Sequence, residues 1–127
     1  MASLNTIANS NMKYFNTYEE LDFEKNSTDY LQIIWGDGQE REYWAKGSLY
    51  ISGFVFDSLD GMKVFRETGA LPDFDFYGDT NVSEEAWKNL RSILTRKGGE
   101  YAVLVEELDA WISDGFSKHN CFTILGV

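Results

Sequence analysis

The chain has 127 residues, with 21 Asp and Glu against 11 Lys and Arg and a formal net charge of -10 at pH 7. Such a surface repels nucleic acid and anionic lipid and attracts basic surfaces, so direct binding to nucleic acid or membrane is not expected. Apolar residues make up 43% and aromatics 16%, enough for a packed core in one domain over 1–127 and too much for a disordered chain.

Met1 to Tyr14 is polar and Asn-rich and lacks the apolar core of a signal peptide, so residues 1–14 are expected to be loosely ordered. Thr17 to Glu20 reads as a capping box, with Thr17 as N-cap and a short helix to about Glu24. Asp29 to Trp35 reads as a strand. Gly36-Asp37-Gly38 suits a tight hairpin, with Glu40 to Lys46 as the return strand and a break at Gly47. Ser48 to Asp57 gives the strongest strand signal. Leu49, Ile51 and Val55 share one face and Tyr50, Phe54 and Phe56 the other, which predicts a central strand covered on both sides. Gly53 within it suggests a bulge or a close backbone contact. Leu59, Met62 and Phe65 recur at helical spacing before Gly69 and Pro72, predicting a helix over 58–68. Asp73 to Tyr77 alternates Asp with aromatic residues, as a charged edge strand does.

The last third is more regular. Ser83 is an N-cap, Glu84 and Glu85 fill the first turn, and Arg91, Arg96 and Lys97 follow, in the order the helix dipole favours. Trp87, Leu90, Ile93 and Leu94 mark the apolar face of a helix over 83–97, which Gly98-Gly99 stops. Tyr101, Leu104, Val105, Leu108, Trp111 and Ile112 form the stripe of a second helix over 100–113. Trp87, Leu90, Leu104, Leu108 and Trp111 are predicted to be mostly buried. Cys121 to Leu125 is a final buried strand. The order predicts an α+β fold: a mostly antiparallel sheet with the two C-terminal helices packed on one face.

No recognisable catalytic or metal constellation is present. His119 and Cys121 are two potential ligands where a structural zinc site needs four, and Cys121 reads as an inert buried residue. A single cysteine excludes a disulfide within the chain. No stretch approaches the ~20 apolar residues of a membrane span. Gly36-Asp37-Gly38 is too short for a phosphate loop, and Gly98-Gly99 follows a helix rather than a strand. Asp73/Asp75 and Asp57/Asp60 have the chemistry of acid–base pairs, but a chain this acidic produces such pairs by chance. The expectation is therefore no enzyme activity, no metal and no cofactor, in a cytoplasmic protein.

The segment Asp73 to Glu85 is denser. Asp73, Asp75, Asp79, Glu84 and Glu85 are interleaved with Phe74, Phe76 and Tyr77 and with no basic residue. Carboxylates raise association rates with a basic partner, and aromatics supply short-range energy, so Tyr77 is the expected anchor. A second acidic group, Glu106, Glu107, Asp109 and Asp114, lies on the polar side of the last helix and reads as a solvated face.

Small size, acidity, a single cysteine, the α+β pattern and the Ser83–Ile112 helix pair with Trp87 and Trp111 together resemble the small acidic immunity proteins of bacterial toxin systems, including contact-dependent growth inhibition. The resemblance implies a cytosolic domain that binds and blocks a cognate toxin domain, often a basic nuclease. It assigns no functional residue. Two other readings stand beside it: a phage-type acidic mimic of nucleic acid, which wants carboxylates spaced like phosphates over a long face, and a small carboxylate-based hydrolase, which wants carboxylates converging in a deep polar pocket.

Overall fold

Near-continuous apolar runs in Tyr30–Trp35 (β1) and Cys121–Leu125 (β4), as suit strands covered on both faces, form the two inner strands of an antiparallel sheet. The computed structural model describes residues 12–37, 44 and 46–127. Among them, Leu49–Ser52 (β2) and Asp79–Ser83 (β3) complete a four-stranded sheet of order β2-β1-β4-β3. The register places Ile33 opposite Ile124 and Val82 opposite Phe122. Because side chains alternate across a strand, Leu31, Ile33, Leu49, Ile51, Val82, Phe122 and Ile124 line one buried face.

Among the described residues five α-helices accompany the sheet: α1 (Phe23–Asn26), α2 (Gly53–Ser58), α3 (Gly61–Glu67), α4 (Glu84–Lys97) and α5 (Gly99–Ile112). The Ser83 hydroxyl accepts the Ala86 N–H at 3.1 Å and starts α4 as an N-cap does. Gly98, at φ 74°, takes the left-handed turn that lets α5 begin at the next residue. Leu90 and Leu94 of α4 and Leu104, Val105 and Leu108 of α5 join the sheet residues in one hydrophobic cluster. The architecture is α+β, with the two C-terminal helices packed together, as the residue pattern predicts.

The opposite face of the sheet is also partly covered. Tyr50, fully buried, stacks on Trp44 with ring centroids 6.0 Å apart, and Phe23 meets Trp44 edge-on at 5.0 Å. Gln32, buried beneath them, donates to the Ser48 hydroxyl at 3.1 Å and accepts the Trp44 N–H at 3.2 Å. At the far end of the sheet the Trp35 ring lies between Trp111 (5.0 Å) and His119 (5.1 Å). Gly115 sits so close to this indole that any Cβ there would overlap it.

Several expectations are corrected. The helix from Thr17 to Glu24 is two pieces: a 3-10 turn, Tyr18–Glu20, closed by the Glu20 carboxylate on the Thr17 N–H, and α1, capped by Asp22 accepting from the Lys25 N–H. The return strand Glu40 to Lys46 lies mostly outside the described residues; Trp44 and Lys46 are in turns. Ser48–Asp57 is not one central strand. It pairs only to Ser52, whose hydroxyl accepts the Val55 N–H at 3.0 Å and launches α2, and β2 stands at the end of the sheet order. Gly53 is no bulge but does make the close backbone contact, donating to the Asp29 carbonyl at 2.7 Å. The helix expected over 58–68 begins only at Gly61, after Asp60 adopts a left-handed conformation. Asp73 to Tyr77 forms turns, and the edge strand on that side is β3. Trp111 is half-buried, with its indole N–H donating to the Gly47 carbonyl at 3.0 Å.

Residues 1–11 lie outside the described part, but Lys13 and Tyr14, expected to be loosely held, are fixed. The Glu107 carboxylate accepts the N–H groups of Lys13, Tyr14 and Phe15 at 2.6, 3.0 and 3.1 Å. Tyr14 and Phe15 are buried, and the Tyr14 hydroxyl donates to Glu100 at 2.9 Å. Glu107 is thus a structural acceptor and not part of a solvated face. Glu107→Ala strands three N–H groups and is expected to cost about 1–3 kcal/mol in chemical denaturation; a loss below ~0.5 kcal/mol would show that this carboxylate does not hold the segment.

Burial, and next the hydrogen bond to Glu100, pushes the Tyr14 hydroxyl above its ordinary value of 10.0. Burial, and next the negative charges of Asp60 and Glu100, does the same to Tyr101. The folded protein therefore holds both protons more tightly than the unfolded chain. Their contribution is complete below the ordinary value of 10.0 and is lost as pH rises through the higher folded values. Thermal melting across alkaline pH should show this loss, and the double variant Tyr14→Phe/Tyr101→Phe should show a shallower one; an equal slope in both proteins would contradict it.

Candidate partner-binding surface

The segment between α3 and β3 takes its shape from where its aromatics go. Phe74 is 2% exposed, with its ring 5.3 Å from Phe56 and 5.4 Å from Phe65. Phe76 is half-buried between Phe56 and Tyr77. With these two rings directed inward, Tyr77 is carried outward and is 75% exposed. Hydrogen bonds fix the turn that carries it. The Asp75 carboxylate accepts the Tyr77 N–H at 2.9 Å, the Asp75 N–H donates to the Thr80 hydroxyl at 3.0 Å, and the Gly78 N–H donates to the Asp75 carbonyl at 3.3 Å. The Gly126 N–H to Gly78 (2.8 Å) and the Val127 N–H to Phe76 (3.0 Å) extend the β3–β4 ladder into the turn. Tyr77 therefore stands on a rigid platform, and little ordering of this backbone remains to oppose binding.

Asp73, Asp75 and Asp79 are exposed around Tyr77. Glu84 and Glu85 are exposed too, but they begin α4 at the other end of β3, roughly 15 Å along the strand from Asp79. The structure thus places Asp75 and Tyr77 in one turn with Asp79 opening β3 just after it, leaves Asp73 in the preceding turn that the Phe74 N–H closes on the Leu71 carbonyl, and sets Glu84 and Glu85 apart as a second group. Phe74 is removed from the surface altogether.

Phe54 was not among the sequence candidates. It is 78% exposed in the first turn of α2, not on a covered strand face, because the chain turns helical at Gly53. A Cβ on the preceding Gly53 would lie 3.4 Å from both the Phe76 ring and the Val127 side chain, so Phe54 emerges beside the Tyr77 turn. Phe54, Tyr77 and Val127 are exposed apolar side chains at this junction of α2 with the 75–78 turn and the chain end, and Asp29, Asp57 and Asp75 are exposed on the segments that meet there. Large exposed aromatics within a polar rim mark protein contact sites. Next to this junction is a groove of about 650 Å³ whose lining includes Tyr30, Gln32, Trp44, Tyr77, Asp79 and Val127. Within the core, the space between sheet and helices is an apolar void of about 20 Å³, too small for a ligand.

The acidic face of α5 is less available than its sequence suggests. Glu107 is engaged with Lys13–Phe15, and Asp109 lies 3.2 Å from the Arg91 guanidinium. Glu106 and Asp114 are exposed. Burial, then the negative charge of Asp37, pushes the Cys121 thiol above its ordinary value of 9.0, which disfavours the nucleophilic thiolate. Among the described residues no group of three or more His, Cys, Asp or Glu converges as metal ligands would, and no helix is long and apolar enough to cross a membrane. Comparison with protein-family models, with curated proteins and with solved structures finds no match.

The split between Phe74 and Tyr77 gives a direct test. Phe74→Ala should cost about 3–5 kcal/mol, the range for a buried phenylalanine, while Tyr77→Ala should stay within about 0.5 kcal/mol of the parent. Chemical denaturation of the two variants reads this, and comparable losses in both would mean that Tyr77 belongs to the core.

Proposed function

We propose that this protein is an immunity-type inhibitor, which binds a basic toxin domain, expected to be a nuclease, and neutralises it by covering its active site or substrate-binding surface. The observation that carries this reading is Tyr77, three-quarters exposed on a hydrogen-bonded turn, with the exposed Asp75 and Asp79 two residues to either side and the exposed Asp73 in the turn before. A net charge of -10 accelerates encounter with a basic domain by long-range attraction. Solvated charges add little energy once contact is made, whereas a desolvated aromatic adds much. Inhibition in this scheme is steric and electrostatic, with no chemistry by the inhibitor, no cofactor and no metal. Glu84 and Glu85 extend the negative field to the start of α4. The cytoplasm, where a nuclease toxin meets its substrate, is the expected location.

The test is co-expression with a basic toxin domain encoded by a neighbouring gene, followed by a nuclease assay on the purified pair. Growth should be restored, and one equivalent of inhibitor should abolish cleavage. Undiminished toxin activity with the inhibitor in about tenfold excess over a micromolar complex would reject the function. On the same pair, Asp75→Lys with Asp79→Lys should slow association and flatten its salt dependence. Tyr77→Ala should speed dissociation about tenfold or more. If both rates stay within about twofold, the interface lies elsewhere, and Glu106 with Asp114 is the next surface to vary.

A further inference from the structure

We infer that the centre of the interface is the junction of α2 with the 75–78 turn, where Phe54 and Tyr77 act as a pair of anchors, and that the partner offers an apolar cleft bordered by arginine or lysine. This rests on the proposed binding of a basic partner and specifies which surface binds and what it binds. Phe54 and Tyr77 are the two most exposed large apolar side chains among the described residues, at 78% and 75%. They come from segments far apart in sequence. The fold brings their chain neighbours together: Gly53, next to Phe54, packs against Phe76, next to Tyr77, and against Val127, whose N–H bonds to the Phe76 carbonyl.

Both supports are rigid. α2 is capped by Ser52, and the Gly53 N–H is held by Asp29; the turn is held by Asp75, Thr80 and Gly126. Anchors fixed in advance lose little entropy on docking. Charge selects the occupant. Asp57 and Asp75 are exposed on the two segments that carry the anchors, and Asp29 is exposed on the segment that holds Gly53, so a cationic border on the partner is attracted. A second copy of this chain would set the same carboxylates against each other at a two-fold contact.

The probe is a short peptide alternating arginine and leucine, with a control in which glutamate replaces arginine. Titration into isotopically labelled protein, followed by amide NMR, should give saturable shifts at Phe54, Asp57, Phe76, Tyr77 and Val127, and the control should give none. The double variant Phe54→Ala/Tyr77→Ala should keep its circular dichroism spectrum and weaken the peptide about tenfold or more. Shifts centred on Glu106 and Asp114, no saturable shift, or a double variant within about twofold of the parent would each overturn the inference. So would a dimer in sedimentation that the double variant abolishes, because the occupant would then be a second copy. The toxin assay is independent of this titration: peptide binding at the junction without toxin neutralisation rejects the function and keeps the site, and the reverse pattern keeps the function and rejects the site.

Discussion

The antiparallel pairing of β1 with β4 holds this structure together. It sets Gln32–Trp35 against Leu125–Phe122, contacts roughly 90 residues apart in sequence, and closing so long a loop is entropically costly before any contact forms. The return comes from the inner face of the pair. Ile33, Phe122 and Ile124 are all buried there, against the apolar faces of α4 and α5. β2 and β3 then add to the outer sides. The Tyr77 turn depends on the same pairing, because Gly126 and Val127, which bond to Gly78 and Phe76, directly continue β4. The proposed binding surface is therefore an extension of the central sheet rather than a loose appendage.

The placement of aromatics makes the functional argument physical. Most of them fill the two faces of the sheet: Phe56, Phe65 and Phe74 on the helical side, and Tyr30, Trp44 and Tyr50 on the other. Phe54 and Tyr77 are not recruited to either layer. A large apolar side chain in water gains nothing for the monomer, and like charges crowded on a small body oppose its compaction. Both features oppose solubility or stability in the isolated protein, and both favour association with a basic, partly apolar surface. Together they are the physical basis for reading the protein as a binder.

The parts of the fold legible in the sequence are those where local signals agree. Ser83, Glu84 and Glu85, the Trp87–Leu90–Leu94 stripe and Gly98 all point to one helix, and the structure has it within a residue. The misread regions are those where local pattern and tertiary packing conflict. Leu49 to Phe56 is apolar on both faces of a strand, but the Ser52 side chain and the Asp29 carbonyl convert it to a helix after four strand residues. Asp73 to Tyr77 also alternates, yet Phe74 is drawn into the core by Phe56 and Phe65, which no local rule encodes. For the candidate site, the exposed residues Asp73, Asp75, Tyr77 and Asp79 stand out in the sequence because charge and aromaticity coincide in a short stretch. Phe54 does not, since its exposure depends on that strand-to-helix switch. Glu107 was read as a solvent-facing acid because the three N–H groups it accepts are more than 90 residues away in sequence.

Hydrogen–deuterium exchange of this protein, free and saturated with a basic toxin domain that it neutralises, tests the central claim most directly. The account predicts new protection in residues 53–58 and 75–79 and in Gly126 and Val127, with α5 unchanged. Protection confined to α5, with the turn and α2 exchanging as in the free protein, would contradict it.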